Sequence, residues 1–193
     1  ESVGFYYLDH LTHNVHKGNM DTWFKFYGDL FNFREIRFFD IQGKFTGLYS
    51  RALTSPCGRI RIPINEDRSE KGQIVEYLKR YNGEGIQHIA VGARNIYKAV
   101  DAIAENGIRF MPKPPMTYYE ASRARVKGHE EPIEDLARHG ILIDGEGDGR
   151  QQLDPGRGDL MEDQLALTLR GLDFAEGLEL KARMLPSFAT THA

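Results

Sequence analysis

One cysteine in 193 residues leaves no internal disulfide and no multi-cysteine metal site. Such sparing use fits a reducing compartment, so a cytoplasmic protein is expected. Cys57 follows Pro56 and reads as a small loop residue, not a nucleophile. No apolar run approaches the roughly 18 residues a membrane-crossing helix needs, and mean hydropathy is −0.50, so no membrane association is expected. The opening Glu1-Ser-Val-Gly-Phe5 has no basic segment followed by a long apolar one, so no signal peptide is expected. It also lacks an initiator Met, and the chain reads as a fragment. Charge of one sign is missing too: 25 basic against 28 acidic side chains give a net −3. No basic patch points to nucleic acid. The short cluster Arg123-Ala-Arg-Val-Lys127 reads as one solvated helix face.

What remains is an ordinary core-forming composition with order in it. Phe5-Tyr-Tyr-Leu-Asp-His-Leu11 partly alternates, as a strand with one covered face does. Met20, Trp23, Phe24, Tyr27, Leu30 and Phe31 recur at helical spacing, with Asn19 placed to cap. Strand-like runs follow at 33–41, 45–53 and 58–64, with turns at Gly43 and Gly58. Near residue 84 the pattern starts again. Gly85-Ile-Gln-His-Ile-Ala-Val91 reads as a strand. Ile96–Ala104 reads as a helix capped by Asn95, and Ile108–Met111 as a strand broken by Pro112, Pro114 and Pro115. Polar helices are expected at 117–127 and 131–138, then a strand at Ile141–Asp144. The expected fold is therefore α+β, made of two βαβββ modules over about 3–66 and 84–146, joined through 67–84, the second incomplete. Each module carries one histidine in its opening strand, His10 and His88.

Those histidines lie 78 residues apart (88 − 10) and form no local chelate. Equivalent positions in paired modules would bring the imidazoles together. Two histidines and a carboxylate with open positions suit a non-haem ferrous centre. On spacing alone the plainer reading is preferred: two satisfied, half-buried strand residues. Asp9 and Gln87 each precede a histidine and should project to the opposite face, which makes neither an obvious partner for the imidazole. His13 and His16 read as loop-edge or surface residues, and His129, His139 and His192 as solvated.

Six segments in order change the balance. Asp9-His-Leu-Thr-His-Asn-Val15, Leu30-Phe-Asn-Phe-Arg-Glu35, Ile62-Pro-Ile-Asn-Glu66, Gly83-Glu-Gly-Ile-Gln-His-Ile-Ala90, Arg109-Phe-Met-Pro112 and Thr117-Tyr-Tyr-Glu120 together resemble the C-terminal domain of the 4-hydroxyphenylpyruvate dioxygenases. The resemblance covers roughly residues 5–146. That family is of the vicinal oxygen chelate type, whose paired βαβββ modules match the organisation above. The resemblance implies Fe(II) held by two histidines, His10 and His88, and one glutamate. It implies an aromatic 2-oxo acid that chelates the iron, O2 as co-substrate, and homogentisate and CO2 as products, a step in tyrosine catabolism. Ser50, Asn65, Gln73 and Gln87 match polar positions lining the substrate pocket; without the resemblance, Ser50 and Gln73 read as plain surface polarity. Full-length members are expected to be homo-oligomers. Pro63-Ile-Asn65 resembles the dioxygenase more than its relative hydroxymandelate synthase. The other alternative is a non-catalytic binding module of the same fold.

The resemblance stops near Gly147. The aromatic strand that carries the family's glutamate ligand is absent, and Glu162, Glu176 and Glu179 lack that strand context, so no third ligand is carried over. The tail, 147–193, is expected to be disordered or weakly helical, interrupted at Gly171 and Gly177. The chain also lacks the family's N-terminal domain, and on its own it is expected to be inactive.

Overall fold

The computed structural model describes residues 2–42, 47–69, 71–126, 131–143, 165–171 and 178–184. The elements in chain order are β1 (Phe5–Val15), α1 (Met20–Phe31), β2 (Arg34–Gln42), β3 (Gly47–Thr54), β4 (Arg61–Asp67), α2 (Gln73–Tyr81) and β5 (Gly85–Ala93). Then come α3 (Ile96–Glu105), α4 (Met116–Arg125), α5 (Ile133–His139), β6 (Leu142–Ile143), β7 (Leu165–Gly171) and β8 (Leu178–Met184). The chain divides into two compact units. One is Leu8–Ala90 with Asp173–Ala175; the other is Glu1–Tyr7, Val91–Leu172 and Glu176–Ala193.

In the 8–90 unit the strand order is β2-β3-β4-β1-β5. β3 is antiparallel to β2 and β4, and β1 is parallel to β4. A parallel pair needs a long crossover, which the stretch from α1 to β3 supplies. This is the expected βαβββ module. Alternation decides what each face does. Val15, Leu53 and Ile64 are fully buried and pack with Met20 against Trp23, Phe24 and Tyr27 of α1. The registers Asn14↔Asn65 and Ser50↔Asn65 put a row of polar residues on the face turned away from α1. Leu48 shares that face and meets Ile74, Tyr77 and Leu78 of α2.

In the other unit Ile96, Val100 and Ile103 of α3 pack with Tyr119, Leu136, Ile141 and Ile143 in one core. Its later strands run β7-β8-β6, with β7 antiparallel and β6 parallel to β8. The element order repeats the first module with α4 and α5 inserted. The strand order does not repeat, since the last strand lies between β7 and β6.

Several expectations need correcting. The 67–84 connection contains a helix, α2, whose buried Ile74, Tyr77 and Leu78 have helical spacing. Ile108–Met111 is not a strand, and the following prolines offer no N–H for a ladder. β4 starts three residues late because the turn runs to Ile60, closed by Ser55 N–H to Ile60 O at 2.9 Å. Asn95 caps α3 through its side chain, which accepts from Lys98 N–H. Asn19 precedes α1 without capping it and donates to Glu84 instead. Two stretches of the expected weakly helical tail are strands, β7 and β8. Leu165, Leu167 and Leu169 fall at every second position, a strand period, and Gly171 ends β7. The rest of the tail, with Glu162, Glu176 and His192, lies outside the described residues, as do Gly43 and His129.

Candidate functional site

His10 on β1 and His88 on β5 belong to the same unit. Their ring centroids are 5.5 Å apart and the rings meet edge to face at 75°. Each ring is fixed by the residue before it. His10 Nδ1 lies 2.6 Å from Asp9 Oδ2, and His88 Nδ1 lies 2.5 Å from Gln87 Oε1. This overturns the expectation that neither neighbour partners its histidine. Alternation sets the direction of Cβ, not the reach of the side-chain tip, and Nδ1 is the ring nitrogen nearer its own backbone. Asp9 is buried and is also held by Arg61, whose guanidinium donates to Oδ1 at 2.8 Å.

Both neighbours present an oxygen to Nδ1, an arrangement that suits the tautomer with the proton on Nδ1 and the lone pair on Nε2. His88 Nε2 accepts the Thr12 hydroxyl at 2.8 Å. His10 Nε2 has no hydrogen bond among the described residues. Two imidazoles held in this way are what a divalent metal requires of histidine ligands. The donor set thus fits two of the positions of a ferrous site. No cluster of three or more His, Cys, Asp or Glu occurs among the described residues. Glu179 does have a strand context, on β8 opposite Arg170.

The other candidate residues fall around this pair unevenly. Asn65 and Ser50 stand side by side on the polar face, Ser50 buried and Asn65 with a buried carboxamide oxygen that has no hydrogen-bond partner. Gln87 is buried and engaged with His88. Gln73 opens α2 and is exposed. Thr12 and Asn14 had not been singled out. Both are buried, and as second and fourth neighbours of His10 along a strand they share its face. That spacing was the available signal. Asn14 Oδ1 is likewise buried without a partner.

His13 and His139 are corrections. His13 is 3% exposed, not a surface residue, and sits under α1 against Trp23 with Nδ1 3.0 Å from the Tyr27 hydroxyl. Burial lowers its pKa, with the Glu84 charge acting in the opposite sense. The His139 side chain is 8% exposed and lies on Tyr97 and Asp101. His16 is exposed, as is Cys57. Burial opposes the Glu84 charge, but hydrogen bonds from Trp23, Asn19 and the His16 N–H outweigh it and hold the carboxyl below its ordinary range.

A family model described as Glyoxalase/Bleomycin resistance protein/Dioxygenase superfamily matches residues 7–141. Hemolysin VllY of Vibrio vulnificus is 57% identical over 143 residues, 74% of this chain and 40% of that protein. A 4-hydroxyphenylpyruvate dioxygenase of Pseudomonas aeruginosa is 56% identical over 144 residues, 75% of this chain and 40% of the enzyme. The chain therefore spans about 40% of the length of these curated relatives. A solved mutant of 4-hydroxymandelate synthase from Streptomyces coelicolor aligns with TM-score 0.66 and 20% identity over 92% of this chain and 48% of that one, a likeness of fold. The similarity to 4-hydroxyphenylpyruvate dioxygenases read from the motifs, and the vicinal oxygen chelate type of fold, are borne out. No helix among the described residues is long and apolar enough to cross a membrane.

Proposed function

Because the chain belongs to the glyoxalase, bleomycin resistance protein and dioxygenase superfamily, we propose that it carries the iron-binding part of a 4-hydroxyphenylpyruvate dioxygenase. The reaction would take 4-hydroxyphenylpyruvate and O2 to homogentisate and CO2, in the cytoplasm. The observation that carries this reading is the pair of imidazoles at 5.5 Å, each with its Nδ1 against an oxygen of the preceding residue, which turns Nε2 of both rings away from their own backbone. The relatives' names supply the substrate.

Bound Fe(II) would polarise the 2-oxo acid and make O2 available to it. The chain's own residues do the rest. His10 and His88 offer Nε2, and for His88 this means releasing the Thr12 hydroxyl. Asp9 and Gln87 keep the rings from turning. Ser50 and Asn65 present neutral donors and acceptors, suited to orienting an acid that is mostly apolar. Gln73, exposed at the start of α2, is proposed to meet the same acid.

Two histidines alone hold iron weakly and leave it with the wrong charge for oxygen chemistry, which calls for a carboxylate as well. Among the described residues no carboxylate completes the pair, so the chain is expected to bind iron without efficient turnover. Iron content and homogentisate formation by the purified chain test this. Stoichiometric iron with turnover would overturn that expectation. His88→Ala should lose the bound iron, and iron retained by that variant would overturn the metal assignment.

A further inference from the structure

The two histidines are not held alike. His88 leans on a neutral carboxamide, whereas His10 leans on a buried carboxylate, Asp9, that is 2.8 Å from Arg61. Arg61 opens β4, the parallel neighbour of β1, so it reaches Asp9 from a different strand. A bare carboxylate beside an imidazole can rotate away, and a guanidinium on its second oxygen prevents that. The result is a chain of contacts from Arg61 through Asp9 to His10 Nδ1, with distances of 2.8 and 2.6 Å.

We propose that Arg61 is a positioning residue for the metal-binding pair: by clamping Asp9 it fixes the orientation and donor strength of His10. The proposal rests on the metal reading above. Among the described residues no hydrogen bond joins Arg61 to His10 itself; the influence of Arg61 passes through Asp9. Outer partners of metal-bound histidines change metal affinity by about 10- to 100-fold when removed.

The test is Co(II) titration of the full 193-residue chain, followed by heat and by the visible cobalt bands. The variants are Asp9→Asn, Arg61→Met, Arg61→Lys and the double variant Asp9→Asn/Arg61→Met. Asp9→Asn is expected to weaken cobalt binding by about tenfold or more and to shift the bands. Arg61→Met should weaken it several-fold, and Arg61→Lys should recover most of the loss. The double variant should be no weaker than Asp9→Asn alone, because the two losses act along one path. Thermal midpoints of the metal-free variants separate this from plain destabilisation, which lowers the midpoint and leaves the affinity of the folded protein unchanged. Wild-type affinity in Arg61→Met, or fully additive losses, overturns the proposal while leaving the metal reading intact. Absence of cobalt binding by the wild-type chain overturns both.

Discussion

His13 is a residue whose chemistry the surrounding structure alters. It is buried under α1, shares Nδ1 with Tyr27 and leaves Nε2 without a partner. Burial is the main cause of its lowered pKa. The unfolded chain, with an ordinary histidine, then binds a proton at a pH where the folded chain does not. Stability is complete above about pH 6.5 and declines as pH falls below it. Urea midpoints followed by Trp23 fluorescence should drop between pH 7.5 and 5.5, and His13→Gln should flatten that drop. An equal drop in both proteins would refute the assignment. Alternation along β1 already separated His13 from His10 in the sequence. It did not reveal that aromatic residues of α1 cover His13, because that depends on residues ten and fourteen positions later. The Asp9 and Gln87 contacts were hidden for the opposite reason: they are so local that only side-chain torsions decide them.

Elements show the same division between what a local pattern carries and what it does not. β1, α1, β3, α3 and α5 follow from periodicity to within a few residues. The start of α1 is set by tertiary contacts. Glu84, just before β5, accepts from the His16 N–H at 2.6 Å, Asn19 Nδ2 at 2.9 Å and Trp23 Nε1 at 2.7 Å. Glu84→Gln would set an N–H₂ group against donors and should cost about 1–3 kcal/mol, read as a lower urea midpoint; an unchanged midpoint would show that water replaces the carboxylate. The start of α2 is set by space. Gly72 has an ordinary φ of −85°, but a Cβ there would lie 1.7 Å from Asp67 Oδ2. Asp67 is buried and holds Ser69 through its N–H and hydroxyl. Gly72→Ala is expected to cost about 1–3 kcal/mol through that collision, and a neutral result would mean Asp67 has room to move. In β7 and β8 the signal was present as leucines two apart. A count of leucines over the whole tail obscured it, because glycine-separated short strands resemble a broken helix when period is not tested.

At the scale of the molecule, both candidate ligands fall in one unit, and so does the chain's single tryptophan, Trp23. Trp23 meets His13 on one side of the sheet, while His10 and Thr12 take the other. Its fluorescence therefore reports unfolding of the unit that would hold the metal without itself being a ligand. A metal that binds the folded unit and not the unfolded chain stabilises it by RT ln(1 + [M]/Kd), about 2.7 kcal/mol when free metal is one hundred times Kd. Denaturation of the whole chain with rising Co(II) should move the Trp23 transition upward by that logarithmic law. His88→Ala should remove the dependence, and Thr12→Val should steepen it, because the hydroxyl no longer competes for His88 Nε2. A Trp23 transition insensitive to cobalt would mean that the two imidazoles, however well oriented, are a packed pair and not a metal site. A shift that survives His88→Ala would place the metal elsewhere in the chain.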